Sequence, residues 1–368
     1  MKPNERLTAI DLFSGAGGLS LGLEWAGFDV VAAVEINKEI AKTYKANHPK
    51  CNLLVKDLRE VSGKDLLRGT GLKSVTMIAG CPPCQGFSSL TRKYHKEDPR
   101  NGLILEMARI IEEIKPNIVM VENVPGIETR GGEVLQQFIG RLETMGYKVS
   151  KHSLQLANYG IPQSRRRFVL LAGMGFEIPI PNETHGSDSQ IQEKDLLPRI
   201  TLKKALSRIH KRAVTLSYAK VHGGPKKFKW HVIRDLSPVS KKRLRALKAG
   251  RSRFSLPEEL RPNCHLKKNK GFGNVYGRMS WKQVAPTITS GCTTPCMGRF
   301  GHPTLTRTIS IREAATIQTF PKSYKFDTEY MDTACDLVGN ALPPKFAKKI
   351  SSYCLKQMLK WNSDNNVL

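Results

Sequence analysis

No apolar run in the sequence approaches the roughly 18 residues that span a bilayer. The opening stretch, Met1 to Ile10, lacks the hydrophobic region of a cleavable signal. Membrane-spanning and secreted classes are therefore not expected. Cysteine is sparse, eight in 368 residues, too few for a disulfide framework, so a reducing cytoplasm is the expected compartment. Acidic residues are scarce in one place only. Between Arg199 and Ala285 three acids (Asp235, Glu258, Glu259) stand among 24 Lys and Arg, whereas the other 281 residues carry 35 bases and 29 acids. A net charge of +27 concentrated in this way points to a polyanionic partner, nucleic acid in preference to a merely solvated basic face. With 40% hydrophobic and 25% charged residues the chain is that of a soluble globular protein with a real core, which excludes disorder.

The first 175 residues read as alternating strands and helices. Leu7 to Phe13 is an apolar run ending in the turn Ser14-Gly15-Ala16-Gly17-Gly18, and the amphipathic stretch Leu19 to Ala26 stops at Gly27. Phe28 to Val34 is the next strand, closing on Glu35, and Lys38 to Ala46 is helical. Val75 to Ala79, Asn117 to Val121 and Phe168 to Ala172 read as buried strands, with a helix over Leu103 to Ile114. This succession predicts a doubly wound α/β sheet. From Ile178 the texture becomes that of a linker, with Pro179, Pro181 and Gly186. The basic segment shows one clear helix, capped by Ser237, with Pro238 at its first position and Gly250 closing it. It carries Lys241, Lys242, Arg243, Arg245 and Lys248, and either lies along phosphates or is simply solvated. A last helix is expected over about Lys345 to Leu359.

Four groups of residues can carry chemistry. Asp11 to Gly18 is a strand followed by a glycine turn that opens a helix, where a ligand can approach the backbone and free N–H groups are on offer. Glu35 ends the next strand, where an acid can accept both ribose hydroxyls of a nucleotide-like cofactor. The glycines do not follow Gly-x-Gly-x-x-Gly, which weakens a nicotinamide cofactor. Asp57 can accept from an adenine amino group, or be an ordinary loop acid. Second, Gly80-Cys81-Pro82-Pro83-Cys84 presents Cys84 at a strand's carboxyl end, as a nucleophile if positive charge lowers its pKa, or as a generic buried cysteine. Zinc held by Cys81, Cys84, Cys292 and Cys296 is a poor alternative, because Pro-Pro stiffens the knuckle. Third, Val121-Glu122-Asn123-Val124-Pro125-Gly126 places an acid at another strand end. Fourth, Gln163-Ser164-Arg165-Arg166-Arg167 leads into a strand whose alternation would put Arg165 and Arg167 on one face.

Taken together and in this order, the residues from 7 to about 350 resemble the DNA (cytosine-5) methyltransferase family, of the bacterial restriction-modification type. The cofactor turn looks like Asp11 to Gly18, the nucleophile motif Pro82-Pro83-Cys84-Gln85, the Glu-Asn-Val motif Glu122 to Val124, and the Gln-x-Arg-x-Arg motif Gln163 to Arg167. Late motifs look like Arg307 to Pro321 and Gly339 to Pro344, with Leu342 where the family commonly has Val.

The resemblance implies a Rossmann-like S-adenosyl-L-methionine-dependent methyltransferase sheet with a smaller basic target-recognition domain inserted. Residues 1–180 would form the catalytic and cofactor-binding domain and 181–320 the DNA-binding domain, with 321–368 returning to the first. Cys84 would add to C6 of cytosine, Glu122 would hold N3 and the exocyclic amine, and Arg165 with Arg167 would hold the O2 edge and nearby phosphates. No metal is implied. Carried over as cofactor contacts are Phe13, Gly15, Gly17, Gly18, Glu35, Ile36, Asp57, Leu58, Pro83, Leu103, Asn340 and Ala341. The target base would be flipped out of double-stranded DNA, and residues 86–102, polar and without periodicity, would close over it as a lid. A monomer without an obligate protein partner is the default expectation. A tRNA cytosine-5 methyltransferase of the same fold and a non-catalytic DNA-binding relative are the alternatives. The long basic segment argues against the first, and the intact Cys84, Glu122 and Arg165 against the second.

Overall fold

The computed structural model describes residues 6–83, 99–210, 212–266 and 273–365. Cys84, the expected nucleophile, lies outside them, as does most of the expected lid. The chain divides into two compact units: residues 1–156, 166–183 and 342–368 form the first, and residues 157–165 and 184–341 the second.

The first unit is built on seven strands: β1 (Thr8–Leu12), β2 (Asp29–Val34), β3 (Asn52–Leu54), β4 (Met77–Gly80), β5 (Ile118–Asn123), β6 (Tyr147–Gln155) and β7 (Arg166–Met174). Their order is β3-β2-β1-β4-β5-β7-β6. The first five run parallel, while β7 is antiparallel to both β5 and β6. β1, β4 and β5 are buried on both faces, which is why they read as unbroken apolar runs. The chain winds outward from β1 to β3 and then resumes on β1's other side with β4. The crevice at the carboxyl ends of β1 and β4 is thus a topological switch point, where such sheets bind ligands.

Among the described residues six α-helices precede β6: α1 (Gly18–Trp25), α2 (Lys38–Asn47), α3 (Gly63–Leu67), α4 (Leu103–Ile114), α5 (Gly126–Arg130) and α6 (Gly132–Thr144). The core joins Ile10, Leu12, Ile78, Val119 and Val121 of the sheet to Ile104, Met107 and Ile111 of α4 and to Leu135, Phe138 and Leu142 of α6. α1 packs on the C-terminal helix, Pro344–Asp364, at very short range. A Cβ on Gly22 would lie 2.4 Å from Ala347 Cβ, so only glycine permits this approach. That last helix is longer than the expected Lys345 to Leu359, and no helix among the described residues is long and apolar enough to cross a membrane.

The second unit has little regular structure, and buried guanidinium groups serve its unpaired carbonyls. Arg278 donates to Leu244 O, His302 O and Leu305 O, and Arg312 to Lys229 O and Tyr324 O. Arg307 meets Glu313 through two bonds, of 2.7 and 2.8 Å. The basic helix begins at Pro238 with Ser237 as its cap, as expected, but ends at Ala246 rather than next to Gly250. Leu247 turns to an extended conformation and is buried, so packing ends the helix one turn early. Gly250, at φ +80°, instead makes a turn whose N–H reaches Arg278 O and Met279 O.

Candidate active site

The turn after β1 carries three left-handed residues in five positions: Phe13 (φ 64°), Gly15 (φ 54°) and Gly17 (φ 82°). Glycine takes this conformation without strain, whereas Phe13 does not. Gly17 is the N-cap of α1 and has no side chain to cap it. No atom comes within 4 Å of a Cβ built on Gly15, so the space above it is open. Glu35, at the end of β2, fixes the crown of the turn. Its Oε2 accepts from Gly15 N–H at 2.9 Å and its Oε1 from Asn37 N–H at 2.8 Å. Burial pushes the Glu35 carboxyl above its ordinary value, and these backbone donors oppose the shift. The next side chain, Ile36, is apolar and 63% exposed. A buried acid beside an exposed apolar face fits a nucleoside, with hydroxyls on the acid and a flat ring over the isoleucine.

Asp57 caps the short turn Leu58–Glu60 and grips Arg59, which donates from Nε at 3.0 Å and from NH2 at 2.6 Å. These bonds hold its carboxyl below the usual range. Leu58 is buried, Pro83 half-buried, and Leu103 buried at the start of α4.

At the carboxyl end of β4 the backbone is tied on both sides. Cys81 N–H donates to Leu12 O at 3.3 Å, and Asn123 Nδ2 donates to Pro82 O at 3.2 Å. The two prolines therefore leave the sheet on a fixed course toward residue 84. Asn123 was invisible as a functional residue in the sequence except as part of the Glu-Asn-Val motif. Glu122 is buried, and its Oε1 lies 2.6 Å from Arg167 Nε across the β5–β7 ladder. The Cys81 thiol is pushed well above its ordinary value, by burial first and then by the Glu122 carboxylate.

Arg165 and Arg167 do different things. Strand alternation does not extend to Arg165, which lies between the short strand Gln163–Ser164 and β7. Within the second unit its buried guanidinium donates to Ile288 O at 2.8 Å and Gly339 O at 3.2 Å. Gln163 reinforces the same place, accepting from Ile288 N–H at 3.1 Å. Asn340, exposed, caps the helix Met331–Gly339, and Ala341 O accepts from Gln318 at 3.0 Å.

Comparison with known proteins places these residues in a wider context. A profile of C-5 cytosine-specific DNA methylases matches residues 7–356. The type II methylase M.HgiDII of Herpetosiphon aurantiacus is 35% identical over 347 residues, covering 93% of each chain. The type II methyltransferase M1.BsuMI of Bacillus subtilis is 30% identical, over 96% of this chain and 83% of its own. Among solved structures, a candidate DNA modification methyltransferase from an E. coli prophage superposes with a TM-score of 0.70 at 23% identity. It covers 96% of this chain and 99% of that one. The Dnmt2 methyltransferase of S. pombe does so with a TM-score of 0.62 at 20% identity, covering 96% and 99%. At these identities the superpositions bear on the fold alone.

Proposed function

Because this chain belongs to the C-5 cytosine-specific DNA methylase family, we propose that it transfers a methyl group from S-adenosylmethionine to C5 of a flipped-out cytosine in a short duplex DNA sequence. The observation that carries the reading is the buried Glu122–Arg167 pair, at the edge of the strand beside the one that delivers the chain to Cys84.

Cytosine C5 is a poor nucleophile until a group adds at C6. Cys84 makes that addition, its sulfur bonding C6 while electron density moves toward C5 and N3. Glu122 holds N3 and the exocyclic amine and so favours the electron-accepting ring. Arg167 orients that carboxyl and reaches the O2 edge. For Arg165 the reading is a bracing part rather than a contact with the base, supported by the bonds that its NH1 donates to the Ile288 and Gly339 carbonyls. S-adenosylmethionine supplies an electrophilic methyl group on a sulfonium. Loss of the C5 proton then expels Cys84 and restores the aromatic ring.

For the cofactor, the open left-handed turn from Phe13 to Gly18 receives the amino-acid end, Glu35 the ribose hydroxyls, and Ile36, Asp57 and Leu58 the adenine. Pro83, Leu103, Asn340 and Ala341 complete the proposed contacts. The second unit, with its concentrated positive charge, reads the DNA sequence, through cations on phosphates and polar side chains on base edges. The naming of its relatives as type II methylases supports a place as the modification half of a restriction-modification system; that it acts as a cytoplasmic monomer is part of the same proposal.

The test is transfer of labelled methyl from S-adenosylmethionine to genomic duplex DNA, with wild type beside Cys84→Ser and the methylated positions mapped by sequencing. Label at C5 in one short motif, lost in the variant, is expected. Label on tRNA alone, or label that survives in Cys84→Ser, would overturn the proposal.

A further inference from the structure

Beneath the glycine turn lies a chain of buried polar groups that no proposed cofactor contact uses. Asp11 of β1 and Ser20 of α1 are both fully buried. Asp11 Oδ2 accepts from Ser20 Oγ at 2.6 Å and from Ser20 N–H at 3.1 Å. Oδ1 of the same carboxyl has no hydrogen-bond partner among the described residues. The chain continues from Ser20 Oγ to Tyr44 Oη at 2.7 Å and on to Cys51 Sγ at 3.3 Å. Burying a carboxyl without full satisfaction is costly, so the residue is expected to do something that an apolar one would not.

The two residues stand nine positions apart, on either side of the turn. Between them lie the three left-handed residues, Phe13, Gly15 and Gly17. The Asp11–Ser20 bonds close this strained loop at its base, as the Glu35–Gly15 bond closes it at its crown. We propose that Asp11 and Ser20 form a positioning clamp that fixes the backbone of residues 13–17 in the shape that receives the cofactor, and so governs cofactor affinity rather than methyl transfer. The inference rests on the reading of this turn as an S-adenosylmethionine site.

The clamp carries its own signature in pH. Burial raises the Asp11 carboxyl to about 7, against the Ser20 bonds and the His48 ring, which favour ionisation, and with Glu35, which opposes it. The titratable groups facing it are Tyr44 of α2 and His48 just past its end, Glu35 after β2, Cys51 before β3 and Cys81 after β4, while Glu24 of α1 pairs with His48. When Asp11 is ionised, the Ser20 N–H and O–H both donate to a charged oxygen. When Asp11 holds a proton on Oδ2, the Ser20 hydroxyl bond reverses direction and both Ser20 bonds lose their charge-assisted strength. Cofactor affinity is therefore expected to weaken roughly fivefold as pH falls from 8 to 6, the worth of about one ordinary hydrogen bond.

The experiment measures binding of S-adenosylhomocysteine by calorimetry between pH 6 and 8, together with KM and kcat, for wild type, Asp11→Asn and Ser20→Ala. A pH-dependent affinity in wild type is expected, with weaker and pH-flat binding in Asp11→Asn, a raised KM for S-adenosylmethionine, and kcat at saturation within about twofold. Ser20→Ala should raise the same KM and leave DNA affinity alone, which keeps the test decisive if Asp11→Asn fails to fold. Wild-type affinity in Ser20→Ala, or an undiminished pH slope in Asp11→Asn, would overturn the clamp while leaving the cofactor site standing. No binding of S-adenosylhomocysteine to wild type would overturn the site itself, and the clamp with it.

Discussion

The contact between α1 and the C-terminal helix can be tested with one methyl group. In Gly22→Ala the new Cβ would sit 2.4 Å from Ala347 Cβ, 2.6 Å from Pro344 O and 2.8 Å from Lys348 N. Two of these three are backbone atoms, so no rotamer change relieves the clash, and the helices must part by more than about 1 Å to reach ordinary contact distance. Overpacking of this kind costs about 1–3 kcal/mol. Alanine's better helix propensity returns about 1 kcal/mol, which leaves a net loss of up to about 2 kcal/mol. For a unit of this size that is a fall in Tm of up to about 8 °C. Gly140→Ala in α6 is the matched control, for it is exposed and nothing lies within 4 Å of its Cβ. There the propensity gain stands alone and should stabilise by about 0.5–1 kcal/mol. Both variants are to be followed by thermal and urea unfolding. A Gly22→Ala protein as stable as Gly140→Ala would refute the packing argument.

The ion pair in the second unit makes stability depend on acid. Burial alone would raise the Glu313 carboxyl, but the two Arg307 bonds and Ser310 N–H outweigh it and hold it below its ordinary value. A carboxyl so depressed contributes stability that is present above its unfolded value, near 4.3, and is lost as pH falls through the folded one. Glu313→Gln should lose about 3–5 kcal/mol near neutrality and show a shallower acid-unfolding curve; an unchanged curve would contradict the assignment. Among the thiols, Cys296 is exposed, while Cys81 is kept protonated by burial and Glu122. Iodoacetamide at pH 8 should modify Cys296 well before Cys81 in peptide maps, and equal rates would show that the Cys81 environment is misread.

Much of this architecture was legible in the sequence where burial was complete. β1, β4 and β5 are apolar on both faces and announce themselves as runs. β6 does not, because Tyr147–Gln155 is an edge strand whose Lys148, Lys151 and His152 face solvent, so no apolar run marks it. β3 is three half-buried residues and gives no pattern at all. In the site, Glu35 was readable from its distance to the glycine turn, and Glu122 from its strand. The division of labour between Arg165 and Arg167 was not. It depends on a break in the strand at Arg165 and on carbonyls supplied by residues 288 and 339, which local sequence cannot reveal. The same holds for Ser20, an ordinary helix residue until the fold sets it against Asp11.

The pairing of Gly22 with Ala347 also has a consequence in time. The two positions are 325 residues apart in the sequence, so the ribosome must add that many residues before α1 meets its partner. At translation speeds of about 5–20 residues per second that interval is roughly a quarter of a minute to a minute. Throughout it the nascent first unit displays an uncovered helix face, the kind of surface that chaperones bind and that drives aggregation. Contacts of such long range also slow folding of the finished chain. A circular permutant that synthesised residues 342–364 ahead of residue 6 would bring the two helices out of the ribosome almost together, and the newborn protein would be spared the longest wait its present gene order imposes.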